Sequence, residues 1–364
     1  MCGIAGFVGR FPPDLLRRMN DAMAHRGPDD SDIHFDENLG LGLAHRRLSI
    51  IDLSELGRQP MWDASGEMAI VFNGEIYNYR ELRKGLADAG YAFRSRSDTE
   101  VLLNLYLRDG ESMLGQLNGI FAFALWDARA RKLFLARDGC GVKPLYYAES
   151  REGFLFASEL KALLQAPNVD RQLDPAALCR YLSFLWCPAP DTALVAVKKL
   201  EPGHAMVVRD GRIERRWRYY DLPNGREGVV SVSEGQAARS VSEAVREAVR
   251  RQMVADVPVG AFLSGGLDSS AVAAFAKGHA GAHRLQCFTI GFESEAARDE
   301  GMTEDLPYAR KVARHLDVDL HVVQVGPEMA DELPRMLYHL DEPQADPAPL
   351  NVLIISRLAR EHGI

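Results

Sequence analysis

With 364 residues, 47% hydrophobic and 26% charged, the chain has the composition of folded domains and exceeds the size at which one core usually stops growing. Two domains are therefore expected, and a disordered majority is excluded. A formal net charge of -8, with no basic stripe carrying interleaved aromatics, argues against nucleic acid as a partner. Five cysteines (Cys2, Cys140, Cys179, Cys187, Cys287) are odd in number and lack C-x-x-C spacing, which argues against a disulfide framework or a structural zinc site; with neither a signal peptide nor a long apolar run, the expectation is a cytoplasmic chain that does not enter membranes.

In the first half, strands are predicted over Gly3 to Val8, Leu39 to His45, Met68 to Asn73, Gly119 to Trp126, Lys132 to Ala136 and Gly153 to Ala157. Helices are predicted over Pro13 to Met23, Tyr79 to Ala89 and Asp98 to Leu107; Ser97 or Asp98 can cap the last of these, and Val101, Leu102, Leu105 and Tyr106 form its apolar face. Many strands with few helices between them imply stacked sheets flanked by helices. Pro188, Pro190, Pro202, Pro223 and Gly225 then interrupt the pattern. The predicted organisation is a first domain over 1–190, a connection over 191–233 and a second domain over 234–364. The second domain alternates helix Gln236 to Met253, strand Val257 to Leu263, helix Ser269 to Lys277, strand Arg284 to Ile290, helix Leu306 to His315 and strand Asp319 to Val325, which requires crossover connections and a parallel sheet.

Two places carry chemistry. Cys2 follows Met1, so removal of one residue would make it terminal, with a nucleophilic thiol beside an α-amine whose reference pKa of about 8 suits a general base. In the second half, the strand ending at Leu263 runs into Ser264-Gly265-Gly266-Leu267-Asp268-Ser269-Ser270 and a helix. The glycines allow a tight turn whose N–H groups face an anion, and the hydroxyls and helix N-terminus add donors. A Walker lysine is absent, and Asp268 would be repelled by bare phosphate unless a divalent cation lay between them. The alternative is an ordinary Ser/Gly turn with Ser269 as a helix cap.

This loop resembles the S-G-G-x-D-S loop of the ATP pyrophosphatases, which split ATP between its α and β phosphates. The resemblance implies that Leu263, Ser264, Gly265, Gly266, Asp268, Ser269 and Ser270 bind ATP, that Asp268 holds Mg2+, and that the strand containing Ile290 borders the adenine.

Five stretches of the first half, Met1 to Gly6, His25 to Asp29, Ala44 to Ile50, Phe72 to Asn78 and Ser97 to Glu100, resemble the class II glutamine amidotransferase domain. That likeness implies an N-terminal-nucleophile hydrolase fold, an αββα sandwich, with Cys2 as nucleophile. Glutamine needs a cation for its carboxylate, an anion for its ammonium and donors for the oxyanion. By the resemblance, Arg47 takes the carboxylate and Asp98 the ammonium, with Glu75 adding contacts, while the Asn73 side chain and the Gly74 N–H form the oxyanion hole. Singly, each has a plainer reading: Arg47, beside Arg46, as a surface or salt-bridge arginine, Asp98 as a helix cap, Asn73-Gly74 as a hairpin turn. His25 to Asp29 and Arg137 to Tyr147 are read as rigid structural turns.

The two halves together are similar to glutamine-hydrolysing asparagine synthetase. The implied reaction uses ammonia from glutamine to attack an acyl-adenylate, converting aspartate to asparagine with release of AMP and pyrophosphate. Alternatives are the same chemistry on a sugar acid or natural-product precursor, and a non-catalytic nucleotide-binding scaffold. Glutamine, a small carboxylate acceptor and ATP are the expected partners, with a homodimer the candidate assembly. Family members continue into an acidic glycine-rich loop after the region of Ala348 to His362, so the α/β adenine-nucleotide domain is expected to be incomplete at its C-terminus. Asp341, Glu342 and Asp346, the last before Pro347, have a plain reading as helix caps and solvated turn charges.

Overall fold

A computed structural model describes residues 1–223, 231–279, 284–292, 305–346 and 348–364; Gly225 and Pro347 lie outside them. The chain forms two compact units, Met1–Asn224 with Asp341–Gln344, and Gly225–Leu340 with Ala345–Ile364.

In the first unit the order is β1 (Gly3–Gly9), α1 (Pro13–Asp21), β2 (Asp30–Asp36), β3 (Leu41–Arg47), β4 (Met61–Trp62), β5 (Met68–Ile76), α2 (Tyr79–Asp88) and α3 (Asp98–Asp109). There follow β6 (Gly119–Asp127), β7 (Lys132–Arg137), β8 (Tyr146–Glu149), β9 (Gly153–Ala157), α4 (Leu160–Leu163), α5 (Pro175–Phe184), β10 (Lys198–Lys199), β11 (His204–Arg209) and β12 (Arg212–Arg218). One sheet has the order β10-β8-β9-β1-β3-β2 and the other β12-β11-β7-β6-β5-β4. Their facing residues, among them Ile4, Leu43, Val71, Ala124, Leu135 and Phe156, form a core between the sheets, because alternate side chains of each strand point to one face. Helices α1 and α4 cover the outer face of the first sheet through Leu15, Leu16, Met19 and Leu163, and α3 packs on β5 and β4 of the second. The result is an αββα sandwich.

The sequence pattern did not mark β2, whose Asp-rich Asp30-Ser31-Asp32-Ile33-His34-Phe35-Asp36 alternates polar with apolar residues at the sheet edge; only Ile33 and Phe35 pack on the core. Within the stretch read as a connection, β10, β11 and β12 join the sheets of this unit, and β11 pairs with β7 from Ala205 opposite Ala136 to Arg209 opposite Lys132. Asp341 and Glu342 are not solvated. Asp341 accepts hydrogen bonds from the Leu160 and Lys161 backbone N–H groups, and Glu342 accepts from Tyr146 Oη at 2.7 Å and pairs with Lys199 at 2.7 Å. Carboxylates half-withdrawn from water favour such partners.

The second unit contains α6 (Glu234–Gln252), β13 (Gly260–Phe262), α7 (Leu267–Lys277), β14 (Gln286–Phe292), α8 (Asp305–Leu316), β15 (Asp319–Val325), α9 (Leu333–Leu340) and α10 (Ala348–Glu361). Strands β13, β14 and β15 pair in parallel in that order. Leu263, Ala273, Cys287, Ala309 and Val318 form the core beneath the helices. Ser233 and Gln236 close a reciprocal capping box on α6, and Asp346 caps α10 through the Ala348 N–H at 2.8 Å. The predicted strand Val257 to Leu263 is laddered only over β13; Pro258 lacks the N–H that pairing would need.

Candidate functional site

Cys2 immediately precedes β1, whose backbone is clamped between β3 and β9. Its carbonyl accepts from Arg26 Nε at 2.8 Å, and its sulfur meets the backbone of Leu48, with the Leu48 N–H approaching Sγ at 3.4 Å. Arg26 in turn donates to Glu159 Oε1 at 2.9 Å, and Glu159 also binds His25 at 2.9 Å and Lys161 at 2.6 Å. The turn residues His25 and Arg26, read from sequence as structural, thus anchor the start of the chain.

Arg46 and Arg47 are neighbours in β3 and so point to opposite faces. Arg46 binds the Asn20 carbonyl and Asp21 of α1, whereas Arg47 is buried and donates to the carbonyls of Ser54, at 2.9 Å, and Asp52. The surface reading therefore fits Arg46, and Arg47 turns inward. Asn73 and Gly74 are not a hairpin turn; they lie within β5, opposite Ala122 and Phe121 of β6. A Cβ on Gly74 would stand 2.3 Å from the Ile120 carbonyl oxygen, so only glycine permits this close crossing. Both polar atoms of the Asn73 side chain are buried without a hydrogen-bond partner, a costly state that suits a group reserved for a ligand.

Ser97, not Asp98, caps α3, accepting from the Thr99 N–H at 3.1 Å. Asp98 is thereby free to reach across and accept from Ile76 N at 3.0 Å. Burial, reinforced by the neighbouring charge of Glu75, raises its carboxyl to about 7 against the Ile76 bond. Burial also raises Glu75 and the Cys2 thiol, and lowers the terminal amine, here on Met1, to about 6. His45 is buried against the Phe72 carbonyl at 3.1 Å and lowered to about 4 by burial, so it remains neutral.

Cys2, Arg47, Asn73, Gly74, Glu75 and Asp98, drawn from separate stretches, line one cavity of about 150 Å³. Sequence reasoning missed Gly57, Gln59 and Lys143, which line it too. Gly57 lies against the Arg47 guanidinium, and Gln59 bridges the Phe72 N–H at 2.6 Å and the Thr99 hydroxyl at 3.2 Å. None of the three carries a local pattern that could announce its place.

In the second unit, Leu263 is buried and donates its N–H to Phe288 of β14, and the chain then turns into α7. Gly265 has φ of +86°, and a Cβ there would stand 2.4 Å from the Ala309 nitrogen. The Ser264 and Ser269 hydroxyls are 3.0 Å apart, the Gly266 N–H donates to Ser264 Oγ at 3.3 Å, and the buried Ser270 hydroxyl has no partner. Asp268 is exposed in the first turn of α7, and Ile290 is half-buried in β14. Gly266, and not Ser269, occupies the cap position of α7. Among the described residues no cluster of three or more metal-ligating side chains occurs, and no helix is long and apolar enough to cross a membrane.

Residues 1–220 match the glutamine amidotransferase domain family and residues 240–364 the asparagine synthase family. Glutamine-hydrolysing asparagine synthetase 1 of Bacillus subtilis is 39% identical over 371 residues, covering 100% of this chain and 56% of that protein. Asparagine synthetase 3 of the same organism is 40% identical, covering 80% of this chain and 48% of its own length. A putative asparagine synthetase of Methanocaldococcus jannaschii is 33% identical, covering 99% of this chain and 72% of that protein. The chain thus spans about half the length of the two Bacillus relatives. A solved structure of the allosteric regulatory enzyme of purine biosynthesis aligns with a TM-score of 0.48 at 16% identity, over 89% of this chain and 80% of that one.

Proposed function

The chain belongs to the glutamine-hydrolysing asparagine synthetase family, and from that premise we propose that its first unit hydrolyses glutamine through Cys2 while its second binds ATP for carboxylate activation. The observation that carries the reading is the convergence of Cys2, Arg47, Asn73, Gly74 and Asp98 on one cavity.

Once Met1 is removed, the α-amine of Cys2 takes the thiol proton, directly or through one water, and sulfur attacks the side-chain amide carbon of glutamine. Arg47, already oriented by the Ser54 and Asp52 carbonyls, offers its remaining N–H groups to the substrate carboxylate. Asp98, with Glu75 beside it, holds the substrate ammonium. The Asn73 amide and the Gly74 N–H stabilise the oxyanion; the proton on the amine then passes to the leaving ammonia, and water releases glutamate from the thioester.

In the second unit the loop fits nucleotide phosphates: Gly265 gives the close approach, the Ser264, Ser269 and unpartnered Ser270 hydroxyls are donors, and the α7 N-terminus favours anions. A single carboxylate, Asp268, fits Mg2+ held mainly by phosphate and water. The cation would neutralise phosphate charge while the acceptor carboxylate, aspartate in this reading, becomes an acyl-adenylate open to ammonia. A cytoplasmic location and homodimeric assembly complete the proposal.

Replacing Cys2 by alanine is expected to lower glutamate release from glutamine at least about a thousandfold without altering the melting temperature. Undiminished glutaminase activity in Cys2→Ala would remove Cys2 from the mechanism. Intact-mass measurement should show Met1 absent from the active protein.

A further inference from the structure

We infer that Lys143 is a positioning residue of the glutaminase site, its ammonium supplying the positive charge that holds the Cys2 sulfur as a thiolate. The inference rests on Cys2 being the nucleophile and adds a residue from a turn otherwise read as structural.

Lys143 lies between β7 and β8 on a turn with little freedom. The Asp138 carboxylate accepts from the backbone N–H groups of Cys140 at 3.1 Å, Val142 at 3.0 Å and Lys143 at 3.0 Å, and also from Phe121 of β6 at 3.1 Å. Arg137 donates to the carbonyls of Gly141 at 2.6 Å and Lys143 at 2.7 Å. With its own N–H and C=O both tied, Lys143 presents its side chain to the cavity it shares with Cys2, Asn73 and Glu75.

Lys143 is only 7% exposed, and its ammonium makes no hydrogen bond or ion pair with a described residue. An ammonium largely withdrawn from water at a cavity wall is costly unless it faces an anion. Burial lowers the Lys143 ammonium from its ordinary value and Arg26 adds to that fall; Glu75, the Cys2 sulfur and Asp138 are the anionic groups that oppose it. The other positive groups nearby are committed elsewhere. Arg26 is paired to Glu159, and Arg47 is turned to the Ser54 and Asp52 carbonyls. The terminal amine of the processed chain, on Cys2 itself, serves as the base and carries a charge only while it holds the thiol proton. Burial raises the Cys2 thiol; the Leu48 backbone contact, the terminal amine and Lys143 oppose that rise, while Asp98 adds to it. A thiol desolvated in this way needs a nearby cation to ionise, and Lys143, lining the same cavity as Cys2, supplies one that takes no part in the proton transfer.

The test is iodoacetamide labelling of the full chain from about pH 5 to 10, with half-buried Cys2 read on its own peptide by mass spectrometry because Cys140 and Cys179 are exposed. In Lys143→Met the midpoint for Cys2 should rise by about one pH unit and the rate at pH 7 should fall about tenfold. The glutaminase kcat should fall with it while KM for glutamine stays within about twofold, and Lys143→Arg should restore the lower midpoint. Lys143→Gln serves as a second neutral variant if the methionine protein melts early. An unchanged Cys2 profile in the neutral variants overturns the inference. So does a raised KM with kcat intact, which would make Lys143 an anchor for the substrate carboxylate. If instead Cys2→Ala keeps its glutaminase activity, the nucleophile assignment itself has failed, and the two failures are distinct.

Discussion

Asp98 shows how one side chain acquires a task its residue type does not have alone. An aspartate in water is ionised well below neutrality, but burial and Glu75 bring this carboxyl to about 7. In the unliganded protein the cost is paid in stability, which falls as pH rises from 3.8 toward about 7 because the unfolded chain ionises first. A substrate ammonium reverses that balance, since it favours the charged form. Glutamine binding should therefore release a proton below pH 7. KM for glutamine should fall about tenfold per unit as pH rises toward that value and then level off. In Asp98→Asn this dependence should vanish, with KM raised most at and above pH 7, where Asp98 is ionised. A glutamine KM independent of pH in the unaltered protein would contradict the assignment of the ammonium to Asp98. The cap supplied by Ser97 leaves the Asp98 carboxylate to face the cavity, and the Ser97-Asp98 pair in the sequence left that choice open.

At the scale of elements, each candidate site includes a backbone position that cannot carry a side chain. In β5 the crossing with β6 excludes a Cβ at Gly74; in the turn from β13 to α7 the backbone of α8 excludes one at Gly265. The second case combines contact with a left-handed backbone, so Gly265→Ala should destabilise the second unit by about 2 kcal/mol or more and displace the hydroxyls of Ser264 and Ser269. Thermal unfolding should show an early transition and ATP binding should weaken, with glutamine hydrolysis by the first unit unchanged. Normal ATP binding in that variant would mean the loop does not form the phosphate cradle.

Across the whole first unit, Glu159 gathers groups from distant parts of the chain. Burial alone would raise its carboxyl, yet the bonds from His25, Lys161 and Arg26 hold it at about 2, below its ordinary 4.5. A depressed carboxylate adds stability above the unfolded value and loses it as pH falls through the folded one. Glu159 should therefore contribute about 3 kcal/mol near neutrality, lost between about pH 4.5 and 2. Glu159→Gln should lose most of this at neutral pH and show a flatter acid limb in denaturant titrations.

The sequence alone carried the alternations that make the stacked sheets and the parallel sheet, the Ser/Gly loop before α7, and the short motifs holding Cys2, Arg47, Asn73, Gly74 and Asp98. These are local signals, set by residue period and backbone freedom, and they survive without knowledge of neighbours. What only the tertiary structure decided is which side chains face one another: Arg47 inward and Arg46 outward, Asn73 and Gly74 in mid-strand, Asp341 and Glu342 half-buried and paired, Gln59 and Lys143 on the cavity wall with Cys2. Burial, desolvation and the pairing of charges depend on contacts between residues far apart in the chain, and no spacing within the sequence encodes them.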